Sequence, residues 1–534
     1  MRRLLTVVMI AVLALPLFAG GGAESTAGAL DEIRKITFPL AEPVEIRIAT
    51  PDGTSASLAN SLPVWQEIER LTNVRIVWDA IPSTQYNEVM KLRVSAGTSA
   101  LPDIMMVPNG LSVAELGQQG IIIPLQDQLA VNGQDILRVY DELPMVRATT
   151  TTDGNIYTIN SAGNGIQTPY SLIIRQDWLD RLGLETPETL DEWMTVLRAV
   201  RDEDANGNGD PDDEIPFSAG GHAWYTTFWG YLWDLNLFQS DGWHGHEDGT
   251  MTYDFISDDA FEFYTWLNGF YHEGLLDPEF MTLGGESALY AKVSQDKVFA
   301  FTAYPSQIPM MEDALRAIGV EDAYLKPLAM PEGPRGRHME VINTISSNGY
   351  AVTSACRNPD VAVALLNFVY GTEKGRLLLN FGIEGVTYTV NADGTYEFTD
   401  LVRNDPDGRA ARDVLSEYGC TLGLPYVRMQ ERDDALLYIY SDRLREDILT
   451  LNEETSQFAT EQLVLPPATE EESNRISGIS GNISSYIWEM TGKFTVGEIS
   501  RAAWDEYVDN IRKMGLDDLL AVKQAQYDRL MANY

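Results

Sequence analysis

The chain has 534 residues, more than one compact core accommodates, so its length predicts several domains or two large lobes. With 44% hydrophobic and 10% aromatic residues it has the composition of a globular protein. Its 79 acidic against 38 basic residues leave a formal charge of -41, which repels nucleic acid and anionic lipid and excludes nucleic-acid work.

Met1-Arg2-Arg3, an apolar stretch over 4–18 and small residues over 19–23 have the layout of a secretory signal peptide, cleaved after Ala19 or Ala23. No cysteine lies there to carry a lipid, so the expected mature form is a soluble periplasmic protein. No later stretch approaches the roughly 20 apolar residues of a membrane span. Cys356 and Cys420 are the only cysteines. They do not amount to a disulfide framework, and either a bridge or two buried free thiols is open to them.

Residues 44–49 alternate as Val-Glu-Ile-Arg-Ile-Ala, the period of a half-buried strand, and break at Pro51-Asp52-Gly53. Pro63 suits the first turn of a helix with Val64, Ile68 and Leu71 on one face. A strand over 74–78, a helix over 86–94 and a short strand over 104–107 follow. This alternation predicts a parallel sheet covered by helices, with ligand-facing loops at the carboxyl ends of its strands. A second unit starts near Ser171 with a strand over 172–174 and a helix over 176–182. Thr189 and Glu192 then form a capping box for a helix over 190–200.

That helix runs into Asp204-Ala205-Asn206-Gly207-Asn208-Gly209-Asp210-Pro211-Asp212-Asp213-Glu214. Side-chain oxygens at every second position, then a glycine and more carboxylates, suit a loop wrapped around one Ca²⁺. The spacing begins like an EF-hand, but Ile215 stands where the closing Glu belongs, so closure falls to Asp212, Asp213 or Glu214. The competing reading is an acidic solvated turn.

Large rings crowd residues 224–243, and most of them read as core. His244-Gly245-His246-Glu247 reads as a polar turn in preference to a metal site. A buried strand over 298–302 leads to Tyr304. Asn358-Pro359 is expected to cap a helix with Val361, Ala364, Leu365 and Phe368 on its apolar face. Helical patterns dominate from 433 onward, with a second capping box expected at Thr495 and Glu498.

Signatures of catalysis are missing: there is no H-E-x-x-H, G-x-S-x-G, phosphate loop or dinucleotide fingerprint. A secreted glycoside hydrolase using two carboxylates remains the enzymatic alternative.

The stretch Ile174-Arg175-Gln176-Asp177-Trp178-Leu179-Asp180-Arg181-Leu182-Gly183-Leu184, then Pro187-Glu188-Thr189-Leu190-Asp191-Glu192-Trp193, then Asp213-Glu214-Ile215-Pro216, resembles the extracellular solute-binding proteins of family 1. The likeness is to the large branch with oligosaccharide- and alginate-binding, lipoprotein-like members, and segments 95–104, 120–125, 154–157 and 381–385 support it. The resemblance implies an α/β, two-lobed periplasmic-binding-protein fold of type II, each lobe a β-sheet flanked by helices, with a helical C-terminal region. One lobe is expected over 40–165 with 345–400, the other over 170–340 with 405–534. It also implies a non-enzymatic, monomeric protein that captures a carbohydrate, expected to be an oligosaccharide, and delivers it to the permease subunits of an ABC importer. A structural Ca²⁺ is implied on Asp204, Asn206 and Asn208 by side chain and on Asp210 by position. The family loop is one residue shorter before Asp-Glu-Ile-Pro, so closure by Asp212 with Asp213 or by Asp213 with Glu214 stays open.

Sugars stack on Trp or Tyr and bond through Asp, Asn and Arg. On that basis the candidate ligand contacts are Asp52 and Thr54 after the first strand, Asn109 after the strand over 104–107, Trp224 and Trp243 around the aromatic segment, and Tyr304. Trp178 and Trp193 are assigned to the core. A binding protein of the same fold for peptides is the other alternative.

Overall fold

The computed structural model describes residues 33–532 apart from 53–59, 110, 143–153, 161–169, 221–225, 342–348, 393, 404, 406–408, 410, 421–436, 438 and 467. The expected signal peptide lies outside the described residues.

The strands that build the two main sheets and their neighbours are β1 (Val44–Asp52), β2 (Val74–Pro82), β3 (Ile104–Met106), β4 (Ser171–Arg175), β5 (Ile215–Ser218), β6 (Trp243–Gly245), β7 (Met251–Tyr253), β8 (Val298–Ala303), β9 (Leu325–Leu328), β10 (Met339–Val341) and β11 (Tyr350–Val352). The first sheet has the order β11-β3-β1-β2 and the second β5-β8-β4-β9. β1 pairs in parallel with β2 and β3, as the alternation predicted, whereas β11 runs antiparallel to β3, with Tyr350 opposite Met106. In the second sheet β5 and β8 are parallel, and β4 runs against both β8 and β9. Each sheet therefore has three strands in one direction and one reversed, which corrects the purely parallel expectation. The reason lies in the path of the chain. Among the described residues β4 is the next strand after β3, and β11 brings the chain back to the first sheet after β10, which pairs with Ala459–Glu461 outside both main sheets. β4 has no earlier strand of its own sheet before it, and β11 is separated from β3 by the whole second sheet, so neither closes a strand–helix–strand unit that would set it parallel to its neighbour. β8 and β9, by contrast, are joined through helix Ile308–Ala317 and point the same way.

Local chemistry sets the helices. Helix Pro63–Thr72 carries Pro63 in its first turn, buries Val64, Trp65 and Ile68, and stops at Asn73, which takes the left-handed conformation with φ 55°. Gln176–Leu182 forms as expected. Helix Leu190–Asp202 opens on the predicted box: Glu192 N–H donates to Thr189 Oγ1 at 3.3 Å and Thr189 N–H to Glu192 Oε2 at 3.0 Å. Two caps differ from expectation. Asn358 precedes helix Pro359–Leu366 without a side-chain cap bond, so the fixed φ of Pro359 starts the first turn by itself. Thr495 sits inside helix Ile479–Val496, where its buried hydroxyl donates to Thr491 O at 2.8 Å, and the second capping box lies at Thr469 and Glu472.

The two largest cores follow the two sheets, and smaller clusters that include Ala49 and Met105 or Ile173 and Phe301 lie beside them. Ile46, Ile48, Val64, Ile68, Ile104 and Val352 belong to the first, and Leu172, Trp178, Trp193, Phe217, Trp229 and Phe263 to the second. Each fully buried side chain of this size contributes about 1.5–3 kcal/mol. Val414, Leu415 and Cys420 pack into the first core, so that core extends past residue 400, its expected end. Ile483, Ile487, Phe494 and Trp504 from the C-terminal helices pack into the second. Both cysteines are free thiols. Burial pushes Cys356 up to about 12 and raises Cys420 further, so neither is a ready nucleophile.

Candidate functional site

Three strands end and one begins at the same edge of each sheet, and the candidate residues are best located from those edges. In the first sheet β1 ends at Asp52, which is half-buried, β2 at Pro82 and β3 at Met106. Tyrosine hydroxyls fasten this edge to itself. Tyr86 Oη lies 2.6 Å from Met106 O and 3.1 Å from Ala49 O, and Tyr350 donates to Thr50 Oγ1 at 2.8 Å. Burial raises the pKa of both tyrosines, which keeps them protonated donors. Asn109 follows β3, is exposed, and donates its N–H to Asn87 Oδ1 at 2.8 Å. Ile159 and Tyr350 exchange backbone bonds of 2.8 and 3.0 Å, bringing Asn160 to this edge. A Cβ on Gly349 would stand 2.2 Å from Ile159 O, so the close approach requires glycine. Thr54 lies outside the described residues.

In the second sheet β5 ends at Ser218 and β8 at Ala303, while β4 begins at Ser171 opposite Ala303. Tyr304, the next residue after β8, is 38% exposed. Its ring meets the edge of Tyr170 with centroids 5.0 Å apart. Tyr170 is in turn backed by Phe238 at 5.2 Å and Phe228 at 5.7 Å, and its hydroxyl donates to Thr302 O at 3.1 Å. An exposed aromatic on a rigid, buried aromatic base is a suitable apolar platform. Ser218 Oγ donates to Asp277 Oδ2 at 2.6 Å, and Lys292 Nζ bridges Asp277 at 2.8 Å and Glu279 at 2.7 Å. Burial pulls the Lys292 pKa down, but these bonds outweigh it and hold it above the usual lysine value.

Trp224 lies outside the described residues. Trp243 is half-buried on the β6–β7 hairpin, its ring 4.4 Å from that of Tyr253 with Lys523 Nζ 5.5 Å from its centroid. Those partners come from the hairpin and from helix Leu516–Met531. Phe228, Trp229, Tyr231, Trp233 and Phe238 are buried, as the core reading of the aromatic segment expects. Of the His-Gly-His-Glu run, His244 Nδ1 is 3.2 Å from Asp254 Oδ2 and His246 Nε2 is 2.9 Å from Thr252 Oγ1.

Tyr170, Asn160 and Tyr350 are not among the residues expected from sequence. Each precedes or borders a reversed strand, whereas a wholly parallel sheet places its ligand contacts after strands.

The acidic loop joins helix Leu190–Asp202 to β5. Its side chains fold the backbone by short-range bonds: Asn208 N–H donates to Asn206 Oδ1 at 2.8 Å, Asp210 N–H to Asn208 Oδ1 at 2.7 Å, Asp212 N–H to Asp210 Oδ1 at 3.3 Å and Gly209 N–H to Asp204 Oδ2 at 3.0 Å. Gly209 takes φ 93°, which the sharp turn at the sixth position needs. Asn206 N–H donates to Glu214 Oε1 at 3.2 Å. The amide groups of Asn206 and Asn208 hold Asp213 at 2.9 and 3.2 Å. Asp204 Oδ1 and Glu214 Oε2 are buried without a hydrogen-bond partner. Burial, and then the neighbouring Asp213 charge, raise the Glu214 pKa. Among the described residues no three His, Cys, Asp or Glu side chains converge on a metal-sized site. The donor set here is instead a mixture of carboxylates and asparagine amides.

The fold and the sequence have known counterparts. The chain is 26% identical, over 97% of its length and 97% of the relative's, to the fructooligosaccharide ABC transporter substrate-binding protein FusA of Streptococcus pneumoniae. The crystal structure of alginate-binding protein AlgQ2 without calcium ion matches 93% of this chain and 100% of its own with a TM-score of 0.70 at 23% identity. A structure of the S. pneumoniae FusA EF-hand mutant in complex with fructo-nystose matches 92% of this chain and 100% of its own, with a TM-score of 0.69 at 21% identity. These structures share the two-lobed periplasmic-binding-protein architecture, an α/β sheet in each lobe. Among the described residues no helix is long and apolar enough to cross a membrane. The family described as bacterial extracellular solute-binding protein matches residues 56–375, and with sheet order and relatives in agreement, this chain belongs to that family.

Proposed function

We propose that this protein is the binding component of an ABC importer and captures a carbohydrate, an oligosaccharide by the likeness to its relatives, between two lobes without altering it. The observation that carries this reading is the matched pair of sheets, each with three strand ends and one strand start on one edge, furnished with Asp52, Asn109 and Asn160 on one sheet and Tyr304 over Tyr170 on the other. Ligand that touches both edges shifts the molecule toward closure only by its greater affinity for the closed form. The lobes in this proposal are 40–165 with 345–420, and 170–341 with 439–532. Trp243, half-buried on the β6–β7 hairpin, remains a proposed contact. Trp224 and Thr54 are proposed from sequence alone.

A Ca²⁺ in the acidic loop belongs to the same proposal. Asp204 and Glu214 each keep a buried oxygen without a hydrogen-bond partner, and Asn206, Asn208, Asp210, Asp212 and Asp213 of the same loop are the other proposed ligands. The ion would tie the end of helix Leu190–Asp202 to β5. The relative solved as an EF-hand mutant supports looking for the ion there. We place the mature protein in the periplasm as a monomer, partnered by permease subunits; cell fractionation and light scattering test both points.

The deciding experiment is a thermal-shift screen of oligosaccharides, monosaccharides and peptides. Stabilisation of about 2.7 kcal/mol is expected at a hundredfold excess of ligand over Kd. Stabilisation by a peptide and by no sugar refutes the carbohydrate reading, and release of reducing ends over time refutes binding without turnover.

A further inference from the structure

We infer that Glu286 is a ligand contact at the edge of the second sheet, a carboxylate that accepts hydrogen bonds from the hydroxyls of a glycan seated on Tyr304. This rests on the carbohydrate reading above and deepens it by naming a charged acceptor for the site.

The local fold sets its place. Glu286 opens helix Glu286–Val293 directly behind Gly285, whose φ of 95° favours glycine. Leu289 and Val293 of that helix are buried in one cluster with Ile173 of β4 and Phe301 of β8, and Lys292 is held between Asp277 and Glu279 at 2.8 and 2.7 Å. The helix is therefore fixed to the sheet whose edge carries Tyr304. Tyr170 joins the two side chains: its ring meets that of Tyr304 with centroids 5.0 Å apart, and its hydroxyl stands 3.4 Å from Glu286 Oε1. This chain of contacts sets the carboxylate beside a ring that is 38% exposed.

Chemistry singles Glu286 out from the other carboxylates around the second sheet. Tyr170 has a single hydroxyl proton, and Thr302 O accepts it at 3.1 Å, a closer approach than that of Glu286, while Thr302 Oγ1 lies 3.3 Å from the same hydroxyl. Half-buried Glu286 thus receives little from the protein, and among the described residues no lysine, arginine or histidine pairs with it. Its shielded counterparts are all served: Asp177 by Arg175, Asp277 by Ser218 and Lys292, Glu312 by Arg316 and the Leu325 N–H, and Glu340 by Ser240. A carboxylate offers about four acceptor positions, and shielding it from water without donors is costly. Glycan hydroxyls are donors of the required kind, and a pair on adjacent carbons can meet both oxygens of one carboxylate in charge-assisted bonds.

The test is calorimetric titration of the full-length secreted protein with the tightest-binding oligosaccharide of the thermal-shift screen, the set to include kestose and trisaccharides of glucose, xylose and mannose. Glu286→Gln, which keeps the shape and removes the charge, and Glu286→Ala are each expected to weaken that glycan at least about tenfold, the loss of a hydrogen bond to a charged group. Without sugar both variants should melt within about 2 °C of the parent, because Glu286 belongs to no ion pair of the fold. Tyr170→Phe, which keeps the ring against Tyr304 and deletes the hydroxyl, should cost about threefold. Glu286 variants that bind within about twofold of the parent overturn the inference, since a contact to a charged group is worth more. A loss in Tyr170→Phe equal to that in Glu286→Ala also overturns it, since the carboxylate then acts by holding Tyr170 and not by touching ligand. So does affinity lost together with the sugar-free melting temperature. Each of these outcomes leaves the carbohydrate reading intact. A parent that binds no oligosaccharide of the screen overturns that reading itself, and the inference falls with it.

Discussion

The two halves of this molecule bury polar groups in different ways. Around the first sheet, buried polar atoms are mostly neutral: Tyr86 and Tyr350 fasten strand to strand, and the buried Arg376 bonds a backbone carbonyl, that of Gly371. Around the second sheet they are charged. The acidic residues that are buried among the described residues, Asp177, Asp254, Asp277, Glu312 and Glu340, all belong to the segment from β4 to β10. Arg175, fully buried, holds Asp177 by bonds of 2.8 and 2.6 Å, pairs with Asp296, and lies 4.9 Å from the Trp178 ring. Asp296 O accepts in turn from the Asn206 amide of the acidic loop at 3.2 Å. A hydroxyl bond is nearly indifferent to pH and ions, whereas a buried charge depends on every partner being present. The second half should therefore be the one that responds to charge substitution, pH and Ca²⁺.

Arg175→Ala breaks this comparison open most strongly. It leaves Asp177 and Asp296 without their cation and should cost about 3–5 kcal/mol, seen as an early unfolding transition in calorimetry. An unchanged melting profile would mean that the buried ion network is not what braces the second half.

Next in size is the pH response of Glu340. Burial, against bonds from Ser240, pushes its pKa up to about 7, from an unfolded value of 4.5. Between those values the folded chain keeps a proton that the unfolded chain has released. Its contribution is complete at the acid end and disappears as pH rises toward 7, by about 3 kcal/mol at most. His244, raised first by its bond to Asp254, acts in the same direction around its own range, and His338, lowered by burial, acts in the opposite one. Glu340→Gln isolates the effect: denaturant midpoints measured from pH 4.5 to 7.5 should flatten in the variant relative to the parent.

Chelation follows. Removing Ca²⁺ that was present at a hundredfold over Kd should withdraw about 2.7 kcal/mol, restored on adding the ion back, and Glu214→Gln should abolish the response. A parent melting curve that chelator leaves unmoved eliminates the ion. The smallest effect is expected in the first half: Tyr350→Phe deletes the bond to Thr50 and should cost about 1 kcal/mol, with no dependence on pH below about 9.

Much of the local structure was readable in the amino-acid order. The capping box of Thr189 and Glu192, the proline start at Pro63 and the alternating residues of β1 are local signals and formed where they were expected, although β1 runs on through Pro51 to Asp52. The turn chemistry of the acidic loop was equally local, since Asp204, Asn206, Asn208 and Asp210 each accept from a backbone N–H two to five residues away. Thr495 shows where such signals mislead: a Thr-x-x-Glu pattern is outweighed when the helix before it continues through buried residues.

What the sequence by itself determined is local: the strand period of β1, the starts of helices at Pro63 and Thr189, the turn chemistry of the acidic loop and the acid balance. Those properties depend on neighbours within a few positions or on composition alone. Only the tertiary structure decided the direction of β4 and β11, and with it which residues share an edge. A strand's direction depends on where the chain comes from, over separations no local pattern records, so Tyr170 and Tyr350 became neighbours of strand ends from the starts of their own strands.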